Sequence, residues 1–282
     1  MLFIVVAAIG HGKTTLMRDW LLPTLMDKPR QLVDEEIPLP VGGYRIALIH
    51  DPPKNEGGRL VGQYPGRRYP DVAAFLRDRR KPAIACLEFP NMRAMMKAGL
   101  QLGRAGVGTI LVFDELDRVF PYGPRYPEES DEFQLLERGR HCNVAIVGSA
   151  RFPHALHKSV RANRMGVWVG AVDEPTEEAY CRKLLGLPRD FELSNFPRRE
   201  FLEWRRGVAG LAQVTVIGGR RMVVGGSAHG QDRSRDRRSR PRGDRRLHLP
   251  EQQEHHPGEA DRARGGLSHA RPDAQADPEV PR

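Results

Sequence analysis

The stretch Leu2–Leu16, LFIVVAAIGHGKTTL, decides how the rest of the chain is read. Leu2–Ala7 are apolar and rich in β-branched side chains, as a strand buried on both faces requires. A glycine-rich turn follows, and from Lys13 to about Leu22 the apolar residues take helical spacing. Strand, glycine turn, lysine and hydroxyl, in that order, are the parts of a phosphate-binding loop, G-x-x-x-x-G-K-[ST], with Ala7 in place of the first glycine. Gly10 and Gly12 free the backbone around His11, so that successive N–H groups can turn toward phosphate oxygens. Lys13 adds a point charge, Thr14 offers a hydroxyl to Mg²⁺, and the helix that carries Thr14 and Thr15 points its positive end at the anion. Gly10, His11, Gly12, Lys13, Thr14 and Thr15 are therefore the expected ATP-binding residues. The plainer alternative is a strand–turn–helix whose lysine is merely exposed.

A second segment, TILVFDELDRVF (109–120), bears on that choice. Ile110–Phe113 are apolar and end in Asp114 and Glu115. A carboxylate at a strand end can hold the water shell of Mg²⁺, and a second one beside it can polarise an attacking water. Standing alone, the pair would read as a helix N-cap. Joined to the lysine loop about a hundred residues earlier, it marks an NTPase with a built-in catalytic glutamate. Asp114 and Thr14 are the expected metal ligands, and Lys13 and Glu115 the expected catalytic residues.

Between and beyond these motifs, apolar runs alternate with helical patterns. Strands are expected at 2–7, 44–50, 82–89, 109–115, 142–150 and 165–172. Helices are expected at 13–22, 91–105, 131–140 and 174–186. This is the pattern of an α/β fold with a mainly parallel sheet and helices on both faces. The segments REFLEWRR and LAQVTVIGGRRMVV read as a terminal pair of strands, and 52–70, dense in Pro and Gly, as a surface loop.

Composition sets the outer limits. The chain has 282 residues, a 39% hydrophobic fraction and a formal net charge of +9. Residues 226–282 hold hardly an aliphatic cluster and include DRSRDRRSRPRGDRR, which cannot bury enough apolar surface to offset chain entropy. The expected division is an ATPase domain over 1–225 and a disordered Arg/Pro/Gly-rich tail over 226–282. The basic excess extends beyond the tail, which suits a polyanionic partner and equally a solvated surface. Cys86, Cys142 and Cys181 lack metal-ligand spacing and read as reduced thiols. No apolar run reaches the ~18–20 residues of a membrane span, and no signal-peptide pattern precedes the first strand. A cytoplasmic protein is expected.

The segment LLERGRHCNVAIVGSARFPHALHKSVRAN (135–163) carries a family likeness. Gly139-Arg140-His141 before a strand, Ser149-Ala150-Arg151-Phe152-Pro153 after it, and Val160-Arg161-Ala162-Asn163 beyond it resemble the FtsK–HerA superfamily of DNA-translocating P-loop ATPases. IALIHDPPKNEG resembles that family's second strand and D-P-x-x-E turn. The resemblance covers about residues 1–217. One departure stands out. Where the family has the glutamine of its QRP sensor this chain has Ala150, so that either Ser149 takes the polar role or the sensing step is altered.

Within the superfamily, the short chain most resembles the genome-packaging ATPases of tailless, membrane-containing viruses. The resemblance implies a RecA-like (ASCE) fold and a homo-oligomeric ring, usually hexameric. It also implies translocation of double-stranded DNA without sequence preference, with docking at a capsid vertex or on membrane-associated viral proteins. A virion-associated location at the packaging vertex would follow. A ring needs an arginine in trans to neutralise charge on the γ-phosphate; Arg140 is the first candidate, with Arg138 and Arg151 behind it.

Two basic groups, Arg59, Arg67, Arg68 with Tyr69, and Arg77, Arg79, Arg80 with Lys81, would face a DNA-carrying pore or form a solvated surface. Rival readings are a filamentous-phage assembly ATPase like zonula occludens toxin, a conjugation ATPase, and a nucleotide-binding subunit without turnover.

Overall fold

A computed structural model describes residues 1–56, 59–217 and 219–225. The expected tail, 226–282, lies outside the described residues. Twelve strands are described: β1 (Leu2–Val6), β2 (Tyr44–His50), β3 (Lys54–Glu56), β4 (Arg59–Val61), β5 (Arg67–Tyr69), β6 (Ile84–Leu87), β7 (Gly108–Phe113), β8 (Val144–Ala150), β9 (Arg164–Val169), β10 (Glu200–Arg205), β11 (Ala212–Ile217) and β12 (Arg220–Gly225). The helices are α1 (Lys13–Leu16), which runs through a π-helical turn (Met17–Leu21) into α2 (Leu22–Asp27), then α3 (Val72–Arg77), α4 (Met92–Arg104), α5 (Leu116–Val119), α6 (Asp131–Arg138), α7 (Lys158–Ala162) and α8 (Pro175–Leu185).

Ten of the strands form one sheet in the order β12-β11-β10-β9-β1-β8-β7-β2-β6-β5. From β9 to β5 every neighbouring pair is parallel, while β10, β11 and β12 extend the sheet antiparallel beyond β9. This is the α/β P-loop architecture expected from the alternation of motifs. β1 shows why its sequence is apolar throughout. Leu2, Ile4 and Val6 join the core on one face, and Phe3, Val5 and Ala7 join the core on the other. The Phe3 face is covered by Leu16, Met17, Trp20, Leu21 and Leu25 of the long first helix, with Trp168 packed edge-on to Trp20. The Ile4 face is covered by Met95 and Met96 of α4, Leu135 and Leu136 of α6, Val160 of α7 and Cys181 and Leu185 of α8. Each fully buried Leu, Ile or Phe side chain contributes about 1.5–3 kcal/mol relative to exposure.

Two expectations change. The stretch 52–70 is not a surface loop throughout, because β3 and β4 pair as a separate antiparallel ribbon and β5 pairs parallel to β6 at the sheet edge. Three residues, Arg67-Arg68-Tyr69, have no apolar alternation to announce a strand. Charge pairing makes the strand possible instead: Arg68 bonds Asp51 and Glu88, and Arg67 pairs with Asp78. Those partners also take Arg67 and Arg68 out of a free DNA-facing group; the Arg59 side chain lies outside the described residues. The terminal strands number three and continue the main sheet. Glu203, buried in β10, is clasped by Arg205 and Arg221, a structural use for two arginines of that region.

Candidate nucleotide site

The strand order places the chemistry. β8 lies between β1 and β7, so the C-terminal ends of three parallel strands open side by side. Register fixes the match: Val5 pairs with Ser149, Val6 with Ala150, and Phe113 with Gly148. The residue after Phe113 therefore lies beside Ser149, and the loop after Val6 lies on the other side of β8.

In that loop Gly10 has φ 80° and Gly12 φ 91°, left-handed values that a side chain would strain. Gly12 caps α1, whose first turn holds no acidic residue to compete for its N–H groups. Lys13 folds back over the loop, its Nζ donating to the carbonyls of Ala7 at 2.5 Å and Ala8 at 3.2 Å. Burial holds its ammonium below the ordinary lysine range, partly opposed by the charge of Asp114. From the segment before β10, Arg198 Nε donates to the Gly10 carbonyl at 2.8 Å. Arg199, itself at φ 67°, lies against Gly12 closely enough that a Cβ there would come 3.2 Å from its Cγ.

Across the cavity, the buried Ser149 hydroxyl donates to the Asp114 carboxylate and accepts the N–H of Glu115 at 3.3 Å. Glu115 caps α5 in a left-handed conformation, φ 62°, and pairs with Arg118 at 3.0 Å. Two further titratable groups sense Asp114. His50, at the end of β2, is held below the usual histidine range by burial, with Asp114 opposing, and Tyr64 is pushed well above the usual tyrosine range by burial and then Asp114.

Lys13, Thr14, Thr15, Gly10 and Gly12 meet Asp114, Glu115, Ser149 and Arg151 around one cavity of about 450 Å³. His11, expected to bind nucleotide, belongs to the loop but does not line the cavity. Ala150 is fully buried in the core, so the one polar side chain at that point of β8 is Ser149. Arg151 projects into the cavity with its guanidinium 5.0 Å from the Phe152 ring centre. Arg140 lies elsewhere. It occupies a 3₁₀ turn (Gly139–Cys142) before β8, at the far end of that strand, where it lines a separate cleft with Met1 and Glu137. Arg138 stands 4.0 Å from Glu128. Neither lines the nucleotide cavity.

Lys54 and Gln63 also line the cavity, and no pattern in the sequence marks Gln63. Asp51 positions it. This buried carboxylate accepts the backbone N–H of Gln63 at 2.8 Å and of Tyr64 at 3.2 Å, and Arg68 donates to it at 2.8 Å.

The donor set also limits the metal that fits. Among the described residues no three His, Cys, Asp or Glu side chains converge as a protein cage. Two carboxylates, Asp114 and Glu115, and the hydroxyls of Thr14, Thr15 and Ser149 share the cavity instead. Such a set of hard oxygens suits Mg²⁺, which keeps several waters and shares phosphate oxygens with one or two protein ligands.

No family model matches the sequence, and no curated protein matches it. Solved structures match in fold. The genome packaging NTPase B204 from Sulfolobus turreted icosahedral virus 2, in complex with ATP-gammaS, superposes with a TM-score of 0.58 at 15% identity, over 77% of this chain and 97% of that one. Its complex with AMPPCP gives 0.57 at 15% identity over the same shares. B204, the DNA-packaging ATPase from Sulfolobus turreted icosahedral virus, gives 0.56 at 12% identity, again over 77% and 97%. At such identities the likeness is one of fold: this chain has the α/β P-loop fold of those packaging NTPases. No helix among the described residues is long and apolar enough to cross a membrane.

Proposed function

We propose that this chain is an ATPase of the FtsK–HerA type that drives double-stranded DNA into a preformed viral capsid. The observation that carries the reading is the meeting of Lys13 with the Asp114–Glu115 pair around one cavity. A phosphate cradle alone binds nucleotide; a carboxylate free to take a proton from water, facing that cradle, supports hydrolysis. Gly10, His11, Gly12, Lys13, Thr14 and Thr15 hold the phosphates, His11 through its backbone N–H in the loop. Thr14 and Asp114 hold Mg²⁺, whose chemistry is to neutralise charge on the phosphate oxygens. Glu115 serves as the base, Arg118 orienting its carboxylate. Ser149 fixes Asp114, and Arg151 faces the terminal phosphate.

Residues 1–225 form the motor domain. The position of Arg140, remote from its own cavity, suits delivery to a neighbour's nucleotide in a ring, usually a hexamer, with Arg138 as the alternative; Arg151, also a candidate from the sequence, lines its own cavity. Such a ring, docked at a capsid vertex or on membrane-associated viral proteins, moves DNA of any sequence through phosphate contacts. Its place is the cytoplasm during assembly and the packaging vertex of the virion.

The test is DNA-stimulated ATP hydrolysis with Mg²⁺ in wild type, Lys13→Ala and Glu115→Gln. Both changes are expected to abolish turnover, with Glu115→Gln still binding ATP. Full turnover in Glu115→Gln overturns the assignment of the base. A wild type that binds ATP and never hydrolyses it, with DNA present, points to a subunit without turnover.

A further inference from the structure

We propose that a cleft between α7, the start of β9 and α8 is a second anion site, one that takes the phosphodiester backbone of duplex DNA. The assignment deepens the translocase reading and rests on it. The cleft measures about 450 Å³ and is lined by Lys158, Arg161, Arg164, Tyr180 and Lys183, with no acidic side chain on its wall. It shares no residue with the nucleotide cavity. Arg164, at the start of β9, also lies at the opposite end of that strand from the residues facing the phosphate loop.

The cations are placed rather than merely present. Arg161 lies between two aromatic rings, 5.7 Å from the centre of Tyr122 and 5.6 Å from that of Tyr180, and it donates to the Tyr180 hydroxyl at 2.9 Å. Arg164 lies 4.8 Å from the Trp204 ring centre and donates to the Arg161 carbonyl. Aromatic faces and a carbonyl orient both guanidiniums without neutralising them. Among the described residues none of Lys158, Arg161, Arg164 and Lys183 has a carboxylate partner within salt-bridge distance. The Nε atoms of Arg161 and Arg164 are buried and bond nothing. Burial holds Arg164 below the ordinary arginine range; Arg206 and Arg161 add repulsion, and Tyr180 opposes it.

Leaving partly buried cations unpaired costs stability, and an anion in the cleft recovers it. A lone carboxylate would balance one of these charges. A duplex offers one phosphate charge per ~1.7 Å of axis, enough to engage several together, and contacts of this kind carry no sequence preference. The Tyr180 hydroxyl, whose oxygen accepts from Arg161, keeps its own proton to donate to a phosphate oxygen, as tyrosines do at nucleic-acid backbones.

The experiment uses the full chain and a fluorescein-labelled duplex of random sequence, with anisotropy titrations at about 50–200 mM salt. Lys158 and Lys183 are exposed, so Lys158→Glu/Lys183→Glu tests the cleft without disturbing the core. The expected result is at least tenfold weaker DNA binding and a log K against log[salt] slope shallower by about 2, from two lost phosphate contacts at ~0.9 each. Melting temperature and DNA-free ATP hydrolysis should match wild type. Arg161→Lys, which keeps the charge but loses the stacked fork, should fall between the two.

A double variant with wild-type affinity and slope overturns the site while leaving the translocase reading intact. A wild type that binds no duplex at any salt overturns both. A double variant that binds DNA normally but changes sedimentation shows the cleft receiving an acidic face of a second copy, and that too overturns the assignment.

Discussion

The Ser149 hydroxyl donates to Asp114 while its oxygen accepts the Glu115 N–H at 3.3 Å, so one buried side chain joins the end of β8 to both acidic residues at the end of β7. A hydrogen bond to a charged group contributes about 1.5–3 kcal/mol, and each 1.4 kcal/mol lost from a transition state is about tenfold in rate. Ser149→Ala is therefore expected to lower turnover about 10–100-fold while nucleotide affinity stays close to wild type. Steady-state hydrolysis and equilibrium binding of a fluorescent ATP analogue measure the two separately. Wild-type turnover in the variant would show that the Asp114–Glu115 geometry does not depend on this contact.

Lys13 gives the site a pH limb of known sign. Its proton is lost at lower pH than that of a free lysine, whose value is 10.5, because burial disfavours the charged form. Phosphate needs the ammonium, so affinity is expected to fall as pH rises through the depressed value and to hold steady below it. Kd for an ATP analogue, measured from about pH 7 upward on protein that still melts cooperatively, checks this. Affinity that stays flat through the ordinary lysine range would mean that Lys13 does not titrate as placed.

Much of this architecture was legible from pattern. The buried strands announced themselves because both faces of a parallel sheet are apolar, and Lys13, Thr14, Asp114 and Glu115 sit in local motifs whose chemistry needs short, fixed spacings. What escaped is non-local. The edge strand β5 depends on Arg68 meeting Asp51 and Glu88, a pairing no window of sequence contains. Gln63 reaches the cavity only because Asp51 holds its backbone.

A packing prediction follows from Gly103, near the end of α4. A Cβ built there would lie 2.0 Å from the Cys142 carbonyl oxygen and 2.8 Å from Val144 Cγ2, and the nearer obstacle is backbone, which cannot swing aside. Gly103 also accepts the Asn143 side-chain amide at 3.0 Å, so α4 would have to retreat from the turn that feeds β8. Helix propensity favours alanine by ~1 kcal/mol, and overpacking costs about 1–3 kcal/mol or more. With a backbone clash this short the second effect wins. Gly103→Ala is expected to destabilise the fold by at least about 2 kcal/mol in urea denaturation, and a variant as stable as wild type would contradict the close approach.

Asp51 ties fold to site most directly. Its carboxylate is 1% exposed and accepts from Arg68, Gln63 and Tyr64, while Arg68 is 30% exposed and keeps Glu88 at 2.7 Å as a second partner. Removing one member of a buried pair costs about 3–5 kcal/mol, and the partial exposure of Arg68 lowers that here to about 2–4 kcal/mol for Asp51→Ala. The loss should concentrate in the segment that delivers Lys54 and Gln63. Limited proteolysis is then expected to cut between β2 and β6 at protease levels that leave wild type intact, and ATP affinity should fall although no phosphate-binding residue has changed. Arg68→Met alone should weaken the same segment less, and adding Asp51→Ala to it should cost less than Asp51→Ala costs in wild type, because the charges are coupled. Strict additivity of the two changes, or an unchanged proteolytic pattern in Asp51→Ala, would remove Asp51 from its positioning role.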